Sequence, residues 1–194
     1  MKKSISALAV IILSAISSFG QKTYTLDKYH SKVGFSATHF GISHVEGSFK
    51  MIDATLQAKK ADLTDADISF TADVNSINTD VEYRDNDLKS ANYFDAAKFP
   101  VITFKSKAFT KVTGKKYKLV GEITIHGVTK QVEFSVLFNG VAVTAMKKPT
   151  AGFTITGKIN RLDFGVGSAP ATSGISNEIE LRSNVEFTIA DNSK

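Results

Sequence analysis

The chain has 194 residues, 42% of them hydrophobic, and carries 24 Lys and Arg against 19 Asp and Glu for a formal charge of +5. It contains no cysteine, which excludes a disulfide framework, a lipid-modified cysteine and a cysteine nucleophile. Its lysines are scattered among acids, so no basic stripe marks a nucleic-acid surface.

The first segment is residues 1–20. Lys2 and Lys3 precede an apolar run from Ile5 to Ile16, and Ser17, Ser18, Phe19 and Gly20 follow. A charged start, a short apolar centre and a small-residue exit predict a secretory signal peptide cleaved before Gln21, whereas a membrane span needs about 20 apolar residues. Loss of Lys2 and Lys3 lowers the formal charge from +5 to +3. Residues 21–194 suffice for one core, and no linker or repeat argues for two domains.

A short leading strand is expected at 23–28, then eight alternating segments at 32–40, 45–57, 67–77, 101–111, 116–125, 131–141, 151–160 and 178–189. In the first of them Val33, Phe35, Ala37 and His39 share a face, placing a titratable ring among apolar neighbours. Later segments repeat the pattern, as in Ile68-Phe70-Ala72 and Val132-Phe134-Val136-Phe138. Connections are mostly short, with Gly41, Lys115, Gly127 and Gly140 at turns, which favours an antiparallel meander. Eight such strands close into a barrel that removes exposed edges. A two-sheet sandwich is the alternative, and strand count, length and up-and-down order favour closure.

Asn78 to Pro100 interrupts the meander. Thr79 and Glu82 have capping-box spacing, predicting a short helix from Asp80 with Val81, Arg84 and Leu88 on its inward face. Pro100 then forces the chain into the next strand, so the insertion reads as a helical lid over one barrel end. The other long connection, Gly165 to Asn177, is rich in small residues and reads as a mobile loop at a barrel mouth.

Four stretches carry a resemblance: YTLDKYHSKVGFSATHFG at 24–41 with GSF at 47–49, INTDVEYRDNDLKSANYFDAAKFPVITFKS at 77–106, GEITIHGVTK at 121–130, and INRLDFGVG at 159–167. In this order, behind a signal-like segment, they resemble the YceI-like family of exported, lipocalin-like lipid-binding proteins over essentially the whole of 21–194. The resemblance implies an all-β fold, an eight-stranded antiparallel barrel with an apolar tunnel. It also implies an amphiphilic lipid partner of polyprenyl, prenylated-quinone or fatty-amide type, and homodimers occur in the family.

Phe35, Phe40, Phe49, Phe94 and Phe104, on the first strands and the lid, are the phenylalanines expected to line such a tunnel, and Leu88 joins them from the helix; the others read as ordinary core. His39 has two readings, a satisfied core histidine or a contact for the lipid head group, the second supported by the family pattern. Arg84 also has two, an ion pair with Asp80, Asp85 or Asp87, or a donor fork for a polar head. Arg161 beside Asp163 reads as structural. His30, His44 and His126 lack the spacing of a zinc site, and no metal or cofactor is expected.

Burying about ten methylene equivalents of a prenyl tail contributes on the order of 8 kcal/mol before ordering costs, against about 0–1 kcal/mol for an exposed head-group ion pair. Tail burial therefore sets affinity, and polar residues set direction and selectivity. Acids lie singly or in the 80–87 turn, with no nucleophile elbow or phosphate-binding glycine loop, so catalysis is not expected. The reading is a periplasmic or secreted barrel that sequesters or carries an isoprenoid-like amphiphile. The alternatives are a lipid-processing or stress-related enzyme using His39 and Arg84, and a structural barrel with a filled interior.

Overall fold

The computed structural model of the protein describes residues 20–144, 147–168 and 174–190. The expected signal peptide falls outside them apart from Gly20, as do residues 169–173 of the expected mobile loop.

Eleven strand segments form one sheet: β1 (Lys22–Leu26), β2 (Lys32–His39), β3 (Ser43–Phe49), β4 (Ile52–Ala58), β5 (Asp67–Asp73), β6 (Ile77–Asn78), β7 (Val101–Thr113), β8 (Lys116–Ile125), β9 (Val128–Val143), β10 (Pro149–Asn160) and β11 (Ile175–Ile189). They make eight ribbons, because three ribbons are broken. β11 pairs with β1 at Leu26↔Phe187 and with β2 at Lys32↔Asn184, so β1 and β2 run in line on either side of residues 27–31. In the same way β1 and β2 pair with β4 and β3, which are parted at residues 50–51. The third break is a turn of 3-10 helix at Val74–Ser76, between β5 and β6.

Neighbouring ribbons are all antiparallel and follow one another in the chain, and the β1–β11 and β2–β11 pairings of the first and last ribbons close the circle into an eight-stranded barrel. A sandwich would leave open edges that this closure removes.

The cause is the period-2 pattern. In β4, Ile52, Ala54, Leu56 and Ala58 are buried while the residues between them are exposed, and β8 buries Tyr117, Leu119, Gly121, Ile123 and Ile125 in the same manner. At the breaks, main-chain groups that leave the ladder find partners nearby. The Lys50 N–H donates to the Ser76 carbonyl at 3.1 Å, Asp73 N–H to Met51 carbonyl at 2.9 Å, and Val74 N–H to Pro100 carbonyl at 2.8 Å.

One turn assignment differs from the sequence reading. His126 and Gly127, with φ of 52° and 76°, make the two-residue β8–β9 hairpin expected at Gly127, since both central residues of such a turn take positive φ. Gly140 is no turn. It lies within β9 at φ 135°, where Gly152 pairs with Gly140 but Phe153 pairs with Phe138, and the unpaired Asn139 makes a β-bulge. The β7–β8 turn is Gly114-Lys115, so Lys115 lies at a turn as expected, with Gly114 taking φ 52°.

The insertion holds one helix, α1 (Glu82–Lys89), which starts two residues after the expected position. Val81 occupies the N-cap position and, being apolar, makes no side-chain cap, while Thr79 is engaged elsewhere. Its N–H and hydroxyl both donate to Oδ1 of the buried Asp85, at 2.8 and 2.6 Å. A capping box needs Thr79 free to turn toward the helix N-terminus; here the acid one turn into the helix holds it instead.

Candidate functional site

Inward side chains do not fill the barrel. Two apolar chambers lie end to end, of about 130 and 140 Å³. Val33, Phe70, Ile123 and Leu181 line both and form a waist between them. Apolar cavities of ~150 Å³ stay dry and accept small hydrocarbons. The strand alternation that points these residues inward leaves several half-buried, because part of their surface faces the chambers.

One chamber lies at the lid end. Leu88 at the end of α1, then Tyr93 and Phe94 in the turn after it, meet Phe35, Ala37 and Phe49 from β2 and β3, and Ile159, Ile175 and Ile179 from β10 and β11. Phe49 packs against Phe35 at 5.9 Å and edge-on against Phe94 at 6.1 Å between ring centres, so a chain of aromatic contacts ties the lid to the wall. Where Gly47 sits, a Cβ would collide with the Phe35 ring and lie 2.8 Å from Thr79 Cγ2, so the missing side chain leaves room for both ring and lid. The end of the insertion docks through Phe99, whose ring meets His126 edge-on at 4.5 Å.

The far chamber is lined chiefly by Leu26, Leu56, Phe109, Leu119, Phe153 and Phe187, with Phe104 and Phe134 on its wall and Ser183 as its polar side chain.

Of the residues named from sequence, Phe35, Phe49, Leu88 and Phe94 line the lid chamber and Phe104 the far one. His39, Phe40 and Arg84 are not among the lining residues of either. His39 ends β2 with its ring edge-on to Phe40 at 4.5 Å. Phe40 is 70% exposed, and its N–H donates to the Gly174 carbonyl at 2.7 Å. The Arg84 Nε donates to Thr79 Oγ1 and its Nη2 to the Thr79 carbonyl, both at 2.8 Å, so the guanidinium braces the start of the lid.

Arg161 is the charged side chain that lines a chamber among the described residues. It opens a turn of 3-10 helix, Arg161–Phe164, directly after β10, and is 7% exposed. Its guanidinium donates to the carbonyls of Val166, Gly167, Ile175 and Ser176 and to Asn177 Oδ1, joining the two ends of the β10–β11 connection. The structural reading of Arg161 is therefore met through main-chain carbonyls, while Asp163 is exposed. Burial lowers the Arg161 pKa, partly offset by Tyr93, and burial raises the Tyr93 hydroxyl above its usual 10.0. Tyr93 and Arg161 thus border the lid chamber, whose surface stays apolar because the guanidinium is turned to its carbonyl partners. Strand alternation could not place either one, since both lie outside the strands. The signal available was the scarcity of arginine, used three times in the chain.

On the outer surface, at the break between β1 and β2, Asp27, His30 and Glu186 bring ligand atoms within 4.8 Å of one another. His30 Nδ1 lies 2.9 Å from Asp27 Oδ2.

The YceI-like domain family matches residues 24–187. The chain belongs to the YceI-like family. A UPF0312 protein of Staphylococcus aureus strain N315 is 34% identical over 173 residues, 87% of this chain and 98% of that protein. The Campylobacter jejuni YceI protein is 35% identical with a TM-score of 0.71, covering 87% of this chain and 98% of that one. Burkholderia cenocepacia BcnA gives a TM-score of 0.75 at 25% identity, covering 83% and 98%. A polyisoprenoid binding domain from Saccharophagus degradans, implicated in plant cell wall breakdown, is 14% identical with a TM-score of 0.66 over 86% and 98%, a likeness of fold.

Proposed function

We propose that this YceI-like protein binds and sequesters or carries a long-chain isoprenoid or similar amphiphile, with the tail in the two chambers and the polar head at the lid. The observation that carries the reading is the dry, two-chamber interior beneath an aromatic lid. A ligand-free structural barrel has no need of such a space, since unfilled apolar volume costs contacts that a packed core retains. The polyisoprenoid-binding description of a protein with the same fold adds support for the ligand class.

Narrow chambers suit a thin chain better than a compact molecule, for which pockets are typically ~300–1,000 Å³. Polyprenyl, prenylated-quinone and fatty-amide lipids all present such a chain. The proposal includes export to the periplasm or medium, on the N-terminal pattern of charge, apolar run and small residues. In an aqueous compartment a free amphiphile of this kind aggregates, and a dry channel keeps it dispersed.

Organic extraction of the purified protein, followed by mass spectrometry of the extract and native mass spectrometry of the intact protein, tests the reading. A copurifying amphiphile of one chain class is the expected result. Protein that emerges ligand-free from its native host and takes up no prenyl alcohol or fatty amide would overturn it.

A further inference from the structure

The two ends of the bore are closed by different means. At one end Leu88, Tyr93 and Phe94 ride on the helix-and-turn insertion outside the barrel strands, and all three are half-buried. At the other, the ring of Phe109 on β7 stacks on Tyr117 of β8 with centroids 4.8 Å apart and planes within 4°. Tyr117 in turn donates its hydroxyl to the Asp62 carbonyl at 3.2 Å in the β4–β5 connection, where Leu63 and Ala66 are buried beneath the barrel. Phe138 packs on Phe153 at 5.3 Å, and Phe153 on Phe187 at 6.1 Å, and the last two line the same chamber as Phe109. Phe109 is 5% exposed and Tyr117 6%.

Phe109 lines the far chamber, and Tyr117 does not. Phe109 therefore bounds the free space, and its ring rests on a second ring held in place by a hydrogen bond to the backbone.

We propose that Phe109 is the length-determining residue of the bore: a tail enters at the lid end and runs through the waist, and its terminal methyl group meets the Phe109–Tyr117 stack. The inference rests on the lipid-binding reading above and adds a limit to the tail. A floor made of one ring backed by a second cannot yield to one more isoprene unit without displacing the Phe109–Tyr117 stack. A longer tail must leave apolar carbon outside, so affinity stops rising with length once the chambers are full.

The test titrates delipidated protein with geraniol, farnesol, geranylgeraniol and solanesol by calorimetry. In the wild type, affinity is expected to climb with each isoprene unit and then level off or fall at one member of the series. Phe109→Ala removes the ring above Tyr117, so the cutoff should move to a longer alcohol, with the first one rejected by the wild type binding about tenfold tighter. Leu119→Phe adds bulk to the same chamber and should move the cutoff to a shorter alcohol, which keeps the question answerable if the alanine variant does not fold. An identical cutoff in wild type and a folded variant, or wild-type affinity that keeps rising through solanesol, would overturn the role of Phe109 and leave lipid binding intact. Failure of every alcohol to bind the wild type would instead defeat the lipid-binding reading, and this inference with it.

Discussion

Val33→Phe separates a working bore from an incidental void. Val33 sits on β2 opposite Ser183 of β11 and forms the waist with Phe70, Ile123 and Leu181. A phenyl ring placed there projects into existing space between the chambers, so its cost to the fold should stay below about 1.5 kcal/mol, short of the penalty for crowding a filled core. The cost to a tail is larger. A chain denied the far chamber loses the burial of about four methylenes, on the order of 3 kcal/mol at ~0.8 kcal/mol each, and its Kd rises roughly a hundredfold. Thermal melting paired with farnesol titration reads both quantities on one sample. A folded Val33→Phe protein that keeps wild-type affinity would show that no tail passes the waist, and the assignment of the two chambers to one ligand would fail.

Arg161→Lys should destabilise the protein by at least about 3 kcal/mol in urea unfolding, because a lysine cannot serve the carbonyls of Val166, Gly167, Ile175 and Ser176 together, and each buried group left unpaired costs ~1–3 kcal/mol; a loss under 1 kcal/mol would contradict this account. Gly157→Ala sets a Cβ against the Phe134 ring, which lines the far chamber, so a stability loss of about 1–3 kcal/mol is expected from the same measurement. For the surface pair, the bond from His30 holds the Asp27 carboxyl below its ordinary 3.8, and that same bond lifts His30 above its ordinary 6.5. The carboxylate's contribution is complete above 3.8 and is lost as pH falls through its depressed folded value. That of the imidazolium is complete below 6.5 and is lost as pH rises through its raised value, so the pair is fully formed between 3.8 and 6.5. An NMR titration of the His30 ring should give a midpoint above 6.5 that returns toward it in Asp27→Asn, and a wild-type midpoint at or below 6.5 would refute the coupling.

How much of this was legible before folding depended on whether a feature was local. Alternation in segments such as Ile52-Asp53-Ala54-Thr55-Leu56 specifies a strand and its dry face, because successive side chains in an extended chain point to opposite sides whatever the partner. The order of strands, the hairpin at Gly127 and the inward Phe35, Phe49 and Phe104 follow from that rule and from turn chemistry, while Leu88 and Phe94 follow from reading the short helical insertion as a lid. Gly140 misled because a glycine between two apolar runs reads equally as turn or bulge, and only the pairing with β10 distinguishes them.

Charge placement was a tertiary matter. Arg84 and Arg161 follow similar local patterns, each beside acids at the edge of an element. Arg84 is drawn to Thr79 at the start of the lid, whereas Arg161 is buried against carbonyls some 5 to 15 residues away in the chain. A guanidinium takes whichever acceptors the fold brings to its five donors, and those acceptors come from loops whose paths the alternation does not encode. The same holds for the hollow itself. Sequence determines which side chains point inward; whether they meet at the axis or leave two chambers and a floor depends on barrel radius and on how rings from opposite strands interlock, which exists only once the sheet has closed.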